Sequence, residues 1–262
     1  MPASTTWNHA VTEHLFILTG ASRGMGAAMA RQLLQPGHVL LCLSRHIDDS
    51  LTADAARLGV RCDQWAVDLA QPADAAARVQ AWLTGFEPRQ VAGATLINNA
   101  AALTRIGPVD ECSDAELSSA LRVGLEAPML LTAAFLRATR AWTVPKRVLN
   151  ISSGLARRAM AAQSPYCAAK AGMDHFTRCV ALDKAHRSHG ARVVSLAPGV
   201  IDTDMQVHLR SADAAGFPDR ASFIGLKQNG QLTSASDAAA SVLAYLMRAD
   251  FGSNPVADVR DH

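Results

Sequence analysis

The stretch TGASRGMG, residues Thr19–Gly26, lies between the apolar run HLFIL and an alanine-rich segment. Its glycines suit a turn from a strand into a helix: Gly20 can turn the chain sharply, and Gly24 leaves room for a ligand at the backbone. Gly26 lets the helix pack close to the strand, and the helix N-terminus offers free N–H groups to an anion. The stretch therefore predicts a dinucleotide site. The alternative is a glycine turn that only closes an ordinary βα unit.

The segments around this turn alternate between short apolar runs and longer helix-like runs, which indicates repeated βαβ units. The apolar runs are HLFILTG, HVLLCLS, DQWAVDL, ATLINNA, KRVLNISS and ARVVSLAPG. The predicted helices cover residues 24–35, 50–58, 72–84, 114–140, 165–188 and 234–247. Because the strands are almost continuously apolar, they fit a parallel sheet that is covered on both faces. We predict an α/β fold, a single-domain Rossmann-like doubly wound parallel sheet over residues 1–262.

The segment from Thr203 to Gln231 interrupts this alternation, because its apolar residues show little periodicity. We predict a loop or a small helical insert there. In doubly wound sheets, loops beyond the carboxyl ends of the strands carry the substrate. Residues 203–231 are therefore the predicted substrate loop or lid.

The composition limits the class of protein and its partners. Apolar residues make up 49 % of the chain and charged residues 18 %, as in a globular protein. The net charge is +2 and the basic residues are scattered, so we expect no nucleic-acid partner. No apolar run approaches the roughly 18 residues that cross a bilayer, and the start does not resemble a signal peptide, so we expect no membrane segment and a cytoplasmic protein. The cysteines form no CxxC pair and the histidines no HExxH pair, which favours reduced thiols and no metal site.

Six motifs follow one another between Thr19 and Thr203, and together they resemble those of the short-chain dehydrogenase/reductase family. After TGASRGMG come VDL, NNA, NISS, YCAAK and PGVIDT. The glycine spacing is GxxxGxG, as in that family, rather than GxGxxG. The resemblance implies an oxidoreductase that transfers hydride between a nicotinamide cofactor and a carbonyl group.

The resemblance also implies that residues of these motifs hold the cofactor. For Asp68 the family role is contact with the adenine ring, whereas chemistry alone predicts a cap at the end of a strand. The implied cofactor-binding residues are Gly20, Ser22, Arg23, Gly24, Met25, Gly26, Arg45, Asp68, Leu69, Asn99, Ala100, Tyr166, Lys170, Pro198, Gly199, Val200 and Thr203.

The end of the second predicted strand bears on the choice between NAD and NADP. It carries Ser44 and Arg45, where an enzyme that uses NAD would place a carboxylate for the ribose hydroxyls. Arg45 and Arg23 can instead pair with the 2′-phosphate of NADP(H), because guanidinium groups match phosphate oxygens. We predict NADP(H). The alternative is that both arginines are solvated surface residues.

The segment SPYCAAK places Tyr166 and Lys170 one helical turn apart, on the same face of a helix. A phenol has a pKa near 10, and moving this pKa to about 7 requires roughly 4 kcal/mol. One positive charge about 5 Å away supplies roughly 3 kcal/mol at an effective dielectric of about 20. The pair therefore predicts a proton donor, Tyr166, tuned by Lys170. The alternative is a surface contact worth a few tenths of a kcal/mol.

The family resemblance favours the first interpretation, because it places a catalytic serine at the end of the strand VLNISS. It implies that Ser153 holds the substrate carbonyl oxygen while Tyr166 delivers a proton and the nicotinamide delivers hydride. Ser152 is the alternative serine. The predicted catalytic residues are Ser153, Tyr166 and Lys170.

One position departs from the family pattern. The segment VGLEAP has Gly124 where the family usually has an asparagine. In the family that asparagine holds, through its backbone, a water that leads to the lysine. We therefore predict slower proton exchange rather than an inactive protein, and equal or higher turnover for a Gly124→Asn variant.

The last third of the chain narrows the resemblance to the sepiapterin reductase and benzil reductase branch, through YCAAKAGMD, PGVIDTDMQ and the run from Lys227 onward. That branch reduces dicarbonyl compounds or pterin side-chain ketones with NADPH. Sepiapterin reductases anchor the pterin through a carboxylate near the C-terminus, and Asp258 matches that position; the alternative is a solvated charge in the tail. Arg157 and Arg158 can meet an anionic substrate, although exposed loop arginines usually meet only water.

These observations predict an NADPH-dependent carbonyl reductase that acts on a small-molecule ketone of diketone, quinone or pterin side-chain type. The alternative function is a non-catalytic NADP(H)-binding sensor or scaffold protein. Gly124 favours that alternative slightly, and the intact serine, tyrosine and lysine argue against it. The family resemblance implies a homodimer or homotetramer, with contacts near residues 114–140 and 165–188.

Overall fold

Seven strands form one parallel sheet in this computed structural model, which describes residues 13–102 and 104–261. The strands are β1 Glu13–Thr19, β2 His38–Ser44, β3 Arg61–Ala66, β4 Val91–Asn98, β5 Lys146–Ile151, β6 Arg192–Ala197 and β7 Val256–Asp258. Their order in the sheet is β3-β2-β1-β4-β5-β6-β7. Every neighbouring pair is parallel, so the carboxyl ends of the strands share one edge.

Helices cover both faces of the sheet. They are α1 Gly24–Leu33, α2 Asp49–Leu58, α3 Pro72–Thr84, α4 Asp114–Leu121, α5 Ala127–Ala138, α6 Ser164–Ala185, α7 Asp204–Ser211, α8 Arg220–Gln228 and α9 Ala235–Met247. Buried side chains of α1, α2 and α9 pack on one face of the sheet, and those of α3, α5 and α6 on the other. The predicted doubly wound α/β fold is confirmed.

Strand β1 shows why the strands are apolar at every position. Phe16 and Leu18 belong to the core on one face, whereas Leu15 and Ile17 belong to the core on the other. Such a strand has no solvent face and therefore no polar alternation. The chain order reverses between β1 and β4, and ligands of doubly wound sheets bind beyond the carboxyl ends at this switch point.

The sequence left one part of the fold open between a loop and a helical insert, and carried no signal for another. The predicted loop or helical insert at residues 203–231 contains two helices, α7 and α8. Strand β7 has only three residues, which is too short for a recognisable apolar pattern.

Helices α4 and α5 continue into each other through a π-helical turn at Arg122–Glu126. By length and composition alone this continuous helix, Asp114–Ala138, could cross a membrane, because it has 25 residues and its most apolar window has a mean hydropathy of 1.3. The segment holds no uninterrupted apolar run of about 18 residues, because charged residues such as Glu116, Arg122 and Glu126 divide it. Apolar side chains of α5 nevertheless pack in the core with α3 and the sheet, as in the core helix of a globular fold.

Candidate active site

A cleft of about 920 Å³ opens at the carboxyl ends of the strands. Every predicted cofactor residue, from Gly20 to Thr203, lines this cleft. The predicted catalytic residues Ser153, Tyr166 and Lys170 line it as well. The sequence motifs, far apart along the chain, thus come together in one place.

The glycine turn forms the floor of one end of the cleft. A Cβ atom on Gly26 would lie 2.0 Å from the carbonyl oxygen of Gly20, so no side chain fits between helix α1 and the turn. Gly20 has φ +71° and a Cβ there would lie 2.9 Å from the Cα atom of Ala100. Gly24 has φ +55°, a left-handed conformation that favours glycine. The turn therefore leaves its backbone and the N-terminus of α1 accessible to an anionic group.

The NNA motif is tied to this turn by hydrogen bonds. The backbone N–H groups of Asn99 and Ala100 donate to the Thr19 hydroxyl at 2.9 and 3.0 Å. The Asn99 side chain donates to the carbonyl oxygens of Thr19 and Gly20 at 3.0 and 3.2 Å. These bonds join the ends of β1 and β4, which fixes the shape of the cleft at the switch point.

The end of β2 forms the far wall of the cleft. Ser44 lines the cleft, and its buried hydroxyl has no hydrogen-bond partner among the described residues. A buried polar group without a partner is costly, so this hydroxyl suits a polar ligand group. Arg45 is exposed and lines the same wall. Both observations fit a phosphorylated ribose next to β2.

Arg23 has a partner that the sequence did not predict. Its guanidinium donates to the Asp204 carboxylate at 2.8 Å, which joins the glycine turn to helix α7. Both side chains are more than half exposed, and exposed ion pairs contribute only about 0–1 kcal/mol. A cofactor phosphate can therefore compete for Arg23.

The carboxylate of Asp68, also in the cleft, accepts from the Ala70 N–H at 3.0 Å, which is the strand-end cap that chemistry alone predicts.

Tyr166 and Lys170 lie in the first turns of helix α6, which borders the cleft. The Lys170 side chain is buried, and its Nζ atom donates to the carbonyl oxygen of Ile151 at 2.6 Å. The same Nζ atom is 5.8 Å from the centroid of the Tyr166 ring. Burial lowers the pKa of Lys170 from 10.5 to about 8, and the negative charge of Asp174 opposes this shift.

The pKa of Tyr166 moves in the direction opposite to the sequence prediction. Burial raises it, because phenolate loses its hydration, and the nearby Ser153 hydroxyl opposes this shift only in part. The prediction that Lys170 brings this pKa toward neutrality is therefore wrong for the protein alone. A phenol that keeps its proton at neutral pH can still donate that proton to a ligand, which suits a general acid.

The two serines at the end of β5 are in different environments. The Ser152 hydroxyl is buried and donates to the Asp174 carboxylate at 2.5 Å. Ser153 has an extended backbone and its hydroxyl accepts from the Leu155 N–H at 3.2 Å. Ser153 and Tyr166 both line the cleft. The hydroxyl of Ser152 is thus engaged away from Tyr166, which favours Ser153 of the two.

Gly124 lies in the π-helical turn and faces helix α6. A Cβ atom there would lie 2.9 Å from the Cβ atom of Ala169, so the two helices pack too closely for a side chain. A small cavity of about 10 Å³ lies between Gly124, Tyr166 and Lys170, which is about the size of one water. The predicted gain or tolerance in Gly124→Asn conflicts with this packing, because an asparagine would push α6 away from the turn.

The remaining wall of the cleft contains residues that the sequence did not single out. Apolar side chains come from the segment after β5 and from helices α7 and α8: Leu155, Met160, Met205, Leu209 and Phe223. Arg158 and Arg260 also line the cleft. Of the two loop arginines considered from the sequence, Arg157 instead donates to the carbonyl oxygen of Ala257 at 3.2 Å. The sparse apolar residues of 203–231 were the sequence signal for the part of this wall that α7 and α8 contribute, and Arg158 was the other lining residue considered from the sequence.

Asp258 does not have the position predicted for a substrate anchor. Among the described residues it is not part of the cleft lining, and its buried carboxylate accepts from Arg260 at 2.6 and 2.7 Å. Arg260 holds the pKa of Asp258 below its usual value. The Asp258 carboxylate is already paired with Arg260. The residue of this pair that lines the cleft is therefore Arg260, not the free carboxylate that the sequence predicts as a substrate anchor.

The part of the chain that the structure describes has no cluster of three or more histidine, cysteine or acidic side chains able to hold a metal ion. The five cysteines are free thiols.

The chain matches the short chain dehydrogenase family over residues 14–214. It therefore belongs to this family of oxidoreductases, whose members use nicotinamide cofactors. A benzil reductase ((S)-benzoin forming) from Bacillus cereus is 32 % identical over 235 residues, which are 90 % of this chain and 94 % of the relative. A sepiapterin reductase from Meriones unguiculatus is 31 % identical over 259 residues, covering 94 % and 96 %. The predicted family and branch are confirmed, and they support reduction of carbonyl groups.

Solved structures share the fold. A short-chain dehydrogenase/reductase from Burkholderia vietnamiensis is 33 % identical, with a TM-score of 0.62, over 95 % of this chain and all of that one. A structure from Agrobacterium tumefaciens with bound NADP is 25 % identical, with a TM-score of 0.74, over 96 % and 97 %. A 3-oxoacyl-[acyl-carrier protein] reductase from Brucella melitensis in complex with NAD is also 25 % identical, with a TM-score of 0.76, over 95 % and 96 %. Structural similarity alone therefore does not distinguish NAD from NADP as the cofactor.

Proposed function

We propose that this protein is an NADPH-dependent carbonyl reductase whose catalytic residues are Ser153, Tyr166 and Lys170. One observation carries the proposal: these three side chains meet in the same cleft as the glycine turn that suits a dinucleotide. The buried amine of Lys170 lies beside the Tyr166 ring, and Ser153 and Tyr166 line the same cleft, so the three groups can act on one carbonyl. A tyrosine–lysine pair with a purely structural role would not need a serine beside it or a place in the cofactor cleft.

The three side chains have separate roles in the reduction. The Ser153 hydroxyl donates a hydrogen bond to the substrate carbonyl oxygen, and the Tyr166 hydroxyl delivers a proton to the same oxygen. The Lys170 ammonium stabilises the phenolate that Tyr166 leaves behind, at a distance where Coulomb attraction is effective. When bound, the nicotinamide supplies the hydride that adds to the carbonyl carbon.

NADP(H) is the proposed cofactor because of the residues at the end of β2. Ser44 offers a buried hydroxyl without a partner, and Arg45 an exposed guanidinium. Arg23 offers a second guanidinium if it leaves Asp204. These groups attract a 2′-phosphate, whereas ribose hydroxyls are best held by a carboxylate, and β2 ends without one.

The proposed substrate is an uncharged ketone with aromatic or other apolar groups, such as an aryl diketone. The apolar wall from α7 and α8 suits such groups, and the named activity of the benzil reductase relative is of this kind. A basic pterin fits less well, because Arg260 pairs with Asp258 and brings positive charge to the cleft. Residues 203–231 then act as the lid over the substrate.

The proposed assembly is a homodimer or homotetramer formed by the helices that the family resemblance implies. Large apolar side chains on these helices are exposed, namely Leu121, Met129 and Leu182. Sedimentation equilibrium tests this assembly, since a monomer at micromolar concentration contradicts it. The cytoplasmic location and the single domain stay predictions.

The test of the function mixes the protein with NADPH and a panel of diketones, quinones and pterins, and follows the near-ultraviolet absorbance of NADPH. Oxidation with at least one carbonyl, fastest among the diketones, is the expected result. Tight NADPH binding without oxidation by any member would favour the non-catalytic sensor or scaffold. Repeating the assay with NADH tests the cofactor separately, because NADH should be the poorer donor.

A further inference from the structure

Asp174 is a buried carboxylate that the proposed mechanism does not use. It lies on α6, one helical turn beyond Lys170 and two turns beyond Tyr166, so the three side chains share one face of the helix. Its side chain is only 3 % exposed. A charged group removed this far from water requires compensating partners. The groups around the Asp174 carboxylate therefore indicate what this side chain does.

The partners of Asp174 come from two strands. Its Oδ1 atom accepts from the hydroxyls of Ser152 on the β5 end at 2.5 Å and Ser195 on β6 at 2.6 Å. Both distances are typical of hydroxyl groups that donate to an ionised carboxylate. The Oδ2 atom has no hydrogen-bond partner among the described residues, although the Arg157 Nε atom lies 3.7 Å away. The carboxylate thus accepts two hydroxyl hydrogen bonds and has one guanidinium near its other oxygen.

We propose that Asp174 is a positioning residue whose negative charge keeps the buried Lys170 side chain in its ammonium form. This inference rests on the proposed function, in which that ammonium stabilises the Tyr166 phenolate. The Lys170 amine makes its hydrogen bond to a backbone carbonyl, which carries no full charge. The nearest compensating negative charge on the same face is that of Asp174, and it opposes the effect of burial on the Lys170 pKa.

Other charged or titratable groups act on this pair from neighbouring elements. Tyr166 faces Lys170 from the same helix. Arg157, in the segment after β5, faces the Asp174 carboxylate, but it is 39 % exposed and therefore screened by water. The Asp258 carboxylate, at the end of β7, is already paired with Arg260 at 2.6 Å. Among the described residues of α6, Asp174 is the buried carboxylate, and it stands one helical turn from Lys170.

The experiment measures the protonation of Lys170 directly, through the carbon-13 chemical shift of labelled lysine side chains during a pH titration. The chain has four lysines, Lys146, Lys170, Lys184 and Lys227, so the spectrum is simple, and loss of one signal in Lys170→Arg assigns it. In the unaltered protein the Lys170 signal should titrate near pH 8. In Asp174→Asn the midpoint should fall by about one pH unit or more, the effect of a charge one turn away at an effective dielectric of about 20.

Ser195→Ala is the matched control, because it removes one hydrogen bond of Asp174 and keeps its charge. The Lys170 midpoint should stay in place in this variant. Equal midpoints in Asp174→Asn and the unaltered protein would overturn the proposal. If Asp174→Asn does not fold, Asp174→Ser decides, because it removes the charge with a smaller polar side chain: the midpoint should again fall, and an unchanged midpoint would overturn the proposal.

The readout does not depend on catalysis. If the unaltered protein reduces no carbonyl, the proposed function fails while the titration still tests the pairing of Asp174 with Lys170. If the protein reduces benzil, the upper pH limit of this activity should move down in Asp174→Asn together with the carbon-13 midpoint. A merely structural role would lower activity without moving that limit.

Discussion

Replacing Gly124 by alanine adds one methyl group at the contact between the π-helical turn and helix α6. The added Cβ atom would lie 2.9 Å from the Cβ atom of Ala169, whereas carbon atoms pack favourably at about 3.5–4.0 Å. The helices must therefore separate by roughly 1 Å. Ala169 is the residue before Lys170 and stands in the same helix as Tyr166, so the movement displaces both catalytic side chains.

Two opposing effects set the change in stability. Alanine stabilises a helix by about 1 kcal/mol relative to glycine, and overpacking costs about 1–3 kcal/mol. Gly225→Ala separates them, because a Cβ atom on this helical glycine meets nothing within 4 Å. Gly225→Ala should raise the free energy of unfolding, and Gly124→Ala should lie below it by about 1–3 kcal/mol, or about 2–12 °C in Tm.

The assay is kcat/KM for the NADPH-dependent reduction of benzil, with Tm measured by calorimetry on the same samples. A displacement of about 1 Å can cost on the order of 100-fold in rate, so we expect a loss of about 10- to 100-fold in Gly124→Ala. Restoring space with Ala169→Gly in the double variant should recover part of both losses. A Gly124→Ala protein as active as the parent and as stable as Gly225→Ala would refute the packing argument.

Three further predictions concern the cofactor, the pH dependence and the substrate. Arg45→Ala should raise KM for NADPH by about 10-fold, the loss of one phosphate contact, and leave KM for NADH unchanged; equal effects on both would exclude this contact. The rate should fall as pH rises through about 8, because Lys170 loses its proton there, and Lys170→Arg should remove this fall; a rate independent of pH up to about 10 would contradict it. Asp258→Asn should affect pterins and diketones alike, since Asp258 contacts Arg260; a loss confined to pterins would restore the anchor.

The sequence predicts most of the fold because most elements have a strong local signal. Strands such as β1 and β2 are continuously apolar, and the glycine turn marks the first βα junction. The sequence does not decide between a loop and a helix at α8, because the apolar residues there are few and serve the cleft rather than a large core. Strand β7 depends on pairing with β6, which no local pattern records.

The sequence predicts those residues of the candidate site that belong to a motif. It does not predict the contacts between residues that are far apart along the chain. Family spacing placed Ser153 and Tyr166 in one cleft. The partner of Arg23 is 181 residues away, and Asp258 is paired through a turn in the tail. The raised pKa of Tyr166 follows from burial, which spacing along one helix does not reveal.

The measurement closest to the central claim is the rate of benzil reduction by Tyr166→Phe with saturating NADPH. General acid catalysis contributes typically 10²–10⁴-fold, so kcat should fall by about that factor while NADPH affinity, followed by fluorescence, changes little. Thermal unfolding at the parental temperature would show that the fold is intact. An unchanged kcat in this variant would contradict the assignment of Tyr166 as the proton donor.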